Sequence, residues 1–489
     1  MPEHSTNSFA RRSARIAFSA MLAVSVAGCG HSSPMHLVTH MFGPSPGALI
    51  GTVAADEPQA VMVGRDILSR GGNAADAAAA MGMALAVTLP SRASMGSGGA
   101  CLAYRPGDTE GGRAFIFTPR AGTVDGIPGA PHADRPAAVP MLARGMYLMH
   151  LQYGTTSFAA ILPDAMSLAV NGVNVSHQLA SDLATVQGPL LADPGMRAIF
   201  SRTDGTALVE GDALVQTHLS GVLDQIRGMG VGDLYNGALA QSFTAGSQAA
   251  GGGLQTSDLR AAIPSERLPL RVNAAGGLTV AFLPPPADGG LGSAVAFRAL
   301  LAGQGNPESL SQGAVAAWRA RGGDTQGKQT NDDLTARAQA VLDSGTPGSG
   351  SLPSLPASTS FAVVDHAGMA VACSLTMNNL FGTGRIAGNT GIVLAASPAR
   401  VPAPLLSAAI ANDGHAFRAA VAGSGQNDAA AAVAEEMKLV LSGQAPASRA
   451  VTAEGRVNAI ACPRGLPGDG MSCVAGSDPR ETGLAVGPR

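Results

Sequence analysis

Several large functional classes are excluded by what the chain lacks. Its 489 residues carry a formal net charge of -3 and no basic tail, so neither a nucleic-acid partner nor a broad anionic membrane surface is expected. No P-loop or dinucleotide-binding fingerprint is present, and the ten His fall at no metal-ligand spacing, so no cofactor and no metal are expected. Apart from an N-terminal segment, no stretch is long and apolar enough to cross a bilayer; the Ala-rich run Ala74 to Val87 is too short and fits a packed helix. Gly96-Ser97-Gly98-Gly99 is too short for a phosphate cradle and reads as a tight turn. Cysteine is scarce, at five residues. Cys462 and Cys473 bracket a Pro/Gly-rich loop and can close a disulfide in an oxidising compartment, whereas Cys101 and Cys373 lie in apolar strand-like runs and read as buried free thiols.

What is present describes an exported, compact protein. Hydrophobic residues make up 46% of the chain, enough to bury a large core. Arg11, Arg12 and Arg15 precede an apolar segment from Ile16 to Val26 and then Ala27-Gly28-Cys29. This is a secretory signal over residues 1–28 ending in a lipoprotein-type box, in which small residues admit the peptidase and the Cys29 sulfur takes the lipid. The plainer alternative is an ordinary secretory signal with an incidental Cys. The expected location is the cell envelope, facing the periplasm, with membrane contact only through the lipid and an exposed tether over 29–50.

The most informative stretch lies far downstream. Residues 344 to 356 are mostly Gly, Ser and Pro, which favour flexible or extended chain. They lead into Ser358-Thr359-Ser360 and then two β-branched runs, Phe361 to Val364 and Met369 to Thr376, around Asp365-His366-Ala367-Gly368, a hairpin signal. Locally this reads as a surface loop before a hairpin, or as the junction where a self-cleaving enzyme keeps its nucleophile. Helices are expected over Gln59 to Leu68, Ala74 to Val87 and Ala137 to Leu151.

The wider pattern resembles the gamma-glutamyltranspeptidase family. Ser358-Thr359-Ser360-Phe361, Val363-Val364-Asp365, Gly368, Thr376-Met377-Asn378 and Phe381-Gly382-Thr383-Gly384 match the start of its small subunit. Gly71-Gly72-Asn73-Ala74, Ser94 to Gly99, Pro284 to Gly290 and Ser477-Asp478-Pro479-Arg480 keep its other landmarks in order, so the likeness covers nearly all of the mature chain. The resemblance implies an α+β fold, the four-layer αββα sandwich of N-terminal-nucleophile hydrolases. A large-subunit-like region (51–357) and a small-subunit-like region (358–489) would form one such domain, with the polar stretch from Trp318 to Leu342 shortened.

It also implies roles. Cleavage before Ser358, or before Thr359, would free an N-terminal hydroxyl residue whose own α-amine serves as base. Thr376 would hydrogen-bond that nucleophile, and Asn378 would contact the amino-acid end of the substrate. Arg120 would pair with the α-carboxylate, with Ser407 in the same pocket. Three positions depart from the family. Arg400 stands where an acid is expected and would repel the substrate ammonium, Leu406 replaces a serine, and Gln426-Asn427 replace the glycine pair that offers an oxyanion hole. The leading expectation is an exported gamma-glutamyl hydrolase or transferase, taking small gamma-glutamyl amides such as glutathione, whose two fragments stay together. The alternatives are an acylase for a dicarboxylic, glutaryl-type acyl group, and an unprocessed, non-catalytic envelope protein.

Overall fold

The computed structural model describes residues 50–488 except 126, 128–131, 324–333, 346–347 and 356–357. The expected signal, nearly all of the tether and Cys29 lie outside the described residues.

Two antiparallel sheets fill the middle of the molecule. One contains, in spatial order, Leu484–Val486, Gly51–Ala55, Thr359–Asp365, Ala370–Thr376, Gly98–Tyr104, Arg113–Phe117 and Ser265–Arg267. The other contains Val474–Ser477, Arg456–Leu466, Phe417–Ser424, Ser407–Asn412, Leu278–Phe282 and Leu270–Ala274. Each sheet mixes strands from before and after residue 358.

The strands read as unbroken apolar runs because both faces are buried. Side chains alternate along a strand, so Phe361 and Val363 enter the core beneath the outer helices while Ala362 and Val364 enter the core between the sheets. That inner layer is rich in alanine, including Ala100, Ala372, Ala408 and Ala420, and small side chains let the sheets approach. Larger residues fill the outer cores, where burying a Phe such as Phe361 or Phe282 contributes roughly 1.5–3 kcal/mol. Helices Pro58–Ser69, Ala74–Thr88 and Leu142–Tyr153 cover the seven-stranded sheet; Gly289–Leu301, Leu334–Ser344 and Ala429–Leu441 cover the six-stranded one. The result is a four-layer αββα sandwich. No helix among the described residues is long and apolar enough to cross a membrane.

Most expected elements form where the sequence placed them, and the exceptions have physical causes. The hairpin turns at Gly368 (φ 85°), with the Asp365 carboxylate accepting from the N–H groups of Ala367 and Met369 and from Ala74 N at the start of a helix. The helix expected from Ala137 begins only at Leu142, because Ala138–Val139 pairs with Arg120–Ala121 as a short strand. Gly98 and Gly99 belong to a strand, not a turn: a Cβ on either would sit 2.3 Å from Phe117 O or 2.5 Å from Ser374 O, so close strand approach requires glycine. Cys101 and Cys373 are not free thiols. They stand directly opposite each other on antiparallel neighbours and form a disulfide, a pairing that local apolar character cannot reveal. Cys462 and Cys473 form the second.

Candidate active site

Antiparallel order brings the candidate residues to one end of the sandwich. The ladder pairs Thr359 with Leu375, Thr376 with Gly98 and Gly99 with Phe117, so Ser358, Thr376 and the turn before Arg120 share one edge of the seven-stranded sheet. The six-stranded sheet ends beside them, where Ser407 pairs with Gly423 and Ser424 with Arg456. Serine hydroxyls bridge the sheets there. Ser358, Ser360 and Ser374 donate to the carbonyl oxygens of Gly425 (3.4 Å), Ala422 (3.2 Å) and Gly423 (3.0 Å). Gly425 needs to be glycine, because its φ is +108° and a Cβ would lie 2.7 Å from Glu454 O.

The two candidate nucleophiles are held differently. Thr359 Oγ1 donates to Asp56 Oδ2 at 3.1 Å, and the same oxygen accepts Ser360 N at 2.9 Å while Oδ1 accepts Asn458 Nδ2 at 2.6 Å. Its hydroxyl is therefore committed to a buried network. Ser358 is also buried, but among the described residues its hydroxyl makes only the long contact to Gly425, and its carbonyl accepts Arg92 Nη1 at 3.4 Å. Arg92 is fixed by a two-pronged pair with Asp182 at 2.8 and 3.0 Å.

The other predicted residues divide. Thr376 Oγ1 accepts Asn378 N at 2.9 Å, and Asn378, at φ 58°, donates Nδ2 to Ala396 O at 3.0 Å. Arg120 donates Nη2 to Ile263 O at 2.7 Å; burial and neighbouring Arg267 lower its pKa from the ordinary value. Arg400 is half-exposed and pairs with Asp125 at 3.0 Å. Ser407 hydrogen-bonds Ser293 on helix Gly289–Leu301, and Leu406 lies in the core between the sheets. Gln426 is exposed. Asn427 grips the chain ahead of the junction, accepting Leu355 N and donating to Pro353 O, both at 3.0 Å. Ser407 and the Asn427 side chain thus serve packing and loop anchoring.

Sequence reasoning missed a cleft of about 280 Å³ beside Ser358, lined by Arg92, Gly425, Gln426, Glu454, Arg456 and Glu481. These residues come from distant segments. One signal was available in the Asp478-Pro479-Arg480 tail: Asp478 holds Arg480, which donates to Thr452 O and Ala453 O, each at 2.7 Å, and so fixes the loop that walls the cleft.

Comparison with known proteins decides the family. The gamma-glutamyltranspeptidase family model matches residues 60–306. The chain belongs to the gamma-glutamyltranspeptidase family. Its similarity to the glutathione hydrolase proenzyme of Escherichia coli K12 is 30% identity over 426 residues, covering 78% of this chain and 72% of that protein. The glutathione hydrolase proenzyme of Bacillus subtilis 168 is 29% identical over 265 residues, 49% of this chain and 43% of that one. In fold, the chain resembles cephalosporin acylase from Bacillus halodurans, with a TM-score of 0.66, 19% identity and coverage of 94% and 99% of the two chains. Helicobacter pylori gamma-glutamyltranspeptidase gives a TM-score of 0.50 at 24% identity, over 62% of this chain and 94% of that one. The family is one of hydrolase and transferase enzymes with the N-terminal-nucleophile hydrolase fold, which the layer order above matches.

Proposed function

We propose that this protein is a self-processing gamma-glutamyl hydrolase or transferase with Ser358 as its nucleophile. The carrying observation is the position of Ser358. It lies at the strand end where the two sheets meet, with a lightly held hydroxyl and a charged cleft alongside. Thr359 is the weaker candidate, because freeing its hydroxyl would break the contact with Asp56.

In this reading the Ser358 hydroxyl first attacks the carbonyl of the preceding peptide bond, and that C–N bond breaks, leaving an ester on Oγ and freeing the α-amine of Ser358. Water then hydrolyses the ester, which restores the hydroxyl and releases the upstream fragment as a carboxylate. In turnover, the amine takes the hydroxyl proton as Oγ attacks the substrate amide carbonyl, then passes it to the leaving amine. Water or a second amine attacks the resulting ester and regenerates Ser358. Gln426 and Asn427 lie just ahead of Asp428, the N-cap of helix Ala429–Leu441, whose N-terminal amides and dipole favour the negative charge that develops on the carbonyl oxygen.

A denaturing gel under reducing conditions tests the proposal. Wild-type protein should give two fragments, the smaller beginning at Ser358, and Ser358→Ala should give one. An uncut wild-type band after prolonged incubation would favour the non-catalytic alternative. The export and lipid attachment read at Cys29 belong to the same proposal, with loss of Cys29→Ala from the membrane fraction as the check.

The acylase reading keeps one supporting observation: the substrate ammonium would meet Arg400 where the family carries an acid. The Arg400–Asp125 pair weakens it.

A further inference from the structure

One short segment holds the chain on both sides of the Ser358 junction. Gly425 O accepts the Ser358 hydroxyl at 3.4 Å, and two residues later the Asn427 side chain takes hold of the stretch upstream. Its Oδ1 accepts Leu355 N and its Nδ2 donates to Pro353 O, both at 3.0 Å. In extended chain the carbonyl of one residue and the N–H two residues on point the same way, so this single amide pairs with the backbone as a peptide group of a neighbouring strand would.

Packing reinforces that rung. Leu355 is 3% exposed and packs with Val315, Leu405, Ala429 and Ala430, and Leu352 rests on the same cluster. Both leucines precede a proline, which disfavours helical backbone at each of them. Further back, Gly348 and Gly313 of helix Pro307–Trp318 approach so closely that a Cβ on Gly313 would sit 2.6 Å from Gly348 O, and one on Gly348 2.5 Å from Gly313 O. A Gly/Ser/Pro stretch that composition describes as flexible is thus seated at several points ahead of the junction.

A hydroxyl that attacks its own backbone needs the preceding carbonyl carbon to stay within reach. Downstream, Ser358 is fixed by strand Thr359–Asp365 and by Asp56, which accepts Ser360 N at 2.9 Å. Upstream, the last described N–H before Ser358 is that of Leu355, and Asn427 binds it.

We propose that Asn427 is a positioning residue for self-cleavage, clamping the backbone three residues ahead of Ser358 so that the scissile carbonyl is presented to the hydroxyl. The role rests on Ser358 being the nucleophile. Asn427 acts through Leu355 and Pro353 and transfers no proton.

Time courses of cleavage in freshly synthesised full-length chain, followed on reducing denaturing gels, test it. Asn427→Ala loses both hydrogen bonds and should cut about tenfold or more slowly than wild type. Leu355→Ala empties the pocket that seats the same residue and should also slow cleavage. Asn427→Asp gives a signature that loss of packing does not. Its carboxylate accepts from Leu355 N but can donate to Pro353 O only when protonated, so its rate relative to wild type at the same pH should rise by about threefold or more as pH falls from about 7 to about 4. Melting temperatures of the variants in the Ser358→Ala background show how much of any slowing is loss of fold. Wild-type rates in Asn427→Ala, or an Asn427→Asp rate whose ratio to wild type does not change with pH, would overturn the positioning role alone. A wild-type chain that stays whole would overturn the nucleophile reading and this role with it.

Discussion

Arg400 illustrates how much a single residue's meaning depends on what faces it. As a letter in the sequence it is an uncompensated positive charge in an acyl pocket, and with Arg120 it points to a dicarboxylic substrate. In the fold it is half-exposed and paired with Asp125, whose second oxygen is buried with no hydrogen-bond partner among the described residues. A guanidinium that is half in solvent and already neutralised by a carboxylate presents little net charge to a ligand, so Arg400 should bias substrate choice by no more than about fivefold. Kinetics with glutaryl and gamma-glutamyl anilides should therefore change their ratio by less than about tenfold in Arg400→Asp. A hundredfold swing would mean that Arg400 meets the acyl group free of Asp125. Ser358 and Thr359 were equally legible as hydroxyl residues at a junction. Choosing between them needed Asp56, hundreds of residues away in the chain, whose carboxylate engages one and not the other.

Elements defined by local periodicity were the most legible part of the fold. The hairpin after Ser358 follows from two β-branched runs about a turn, and helix Ala74–Thr88 from its alanine run, to which the structure adds a capping box made by Asn73 and Asp76. Ala138–Val139 was misread because a two-residue pairing with Arg120–Ala121 outweighed helix propensity. Caps also carry titration behaviour that sequence cannot supply. Glu57 caps helix Pro58–Ser69 from a buried position, and burial pushes its carboxyl up to about 7 despite hydrogen bonds from Ser176 and Gln59, with Asp56 adding to the rise. The folded state thus retains a proton that the unfolded chain releases above its ordinary value of 4.5, so stability from this group falls as pH rises from about 4.5 to about 7. The span corresponds to roughly 3 kcal/mol. Thermal melts across that window should show Glu57→Gln gaining on wild type as pH rises. Parallel pH profiles for the two proteins would remove Glu57 as the cause.

At the scale of the molecule, family landmarks spread along the chain made the αββα architecture legible. What they could not give was anything assembled across sheets: the Asn427 grip on Pro353 and Leu355, the cleft built from Arg92, Glu454, Arg456 and Glu481, or the register that sets Cys101 against Cys373. That last pairing has its own outcome after cleavage. Cys101 lies before Ser358 and Cys373 after it, so the disulfide would join the two products covalently. A complex of two separate fragments unfolds into two particles, and its melting temperature falls on dilution. A linked pair unfolds into one. The processed protein should therefore melt at a temperature independent of its concentration and run as a single band without reductant. Cys373→Ala should restore both the second band and the dilution dependence. Dilution dependence in the oxidised wild type would mean that the bond does not form. With the bond in place, cutting the backbone would leave folding a unimolecular reaction, and the processed protein could lose and regain its structure without ever having to find its other half.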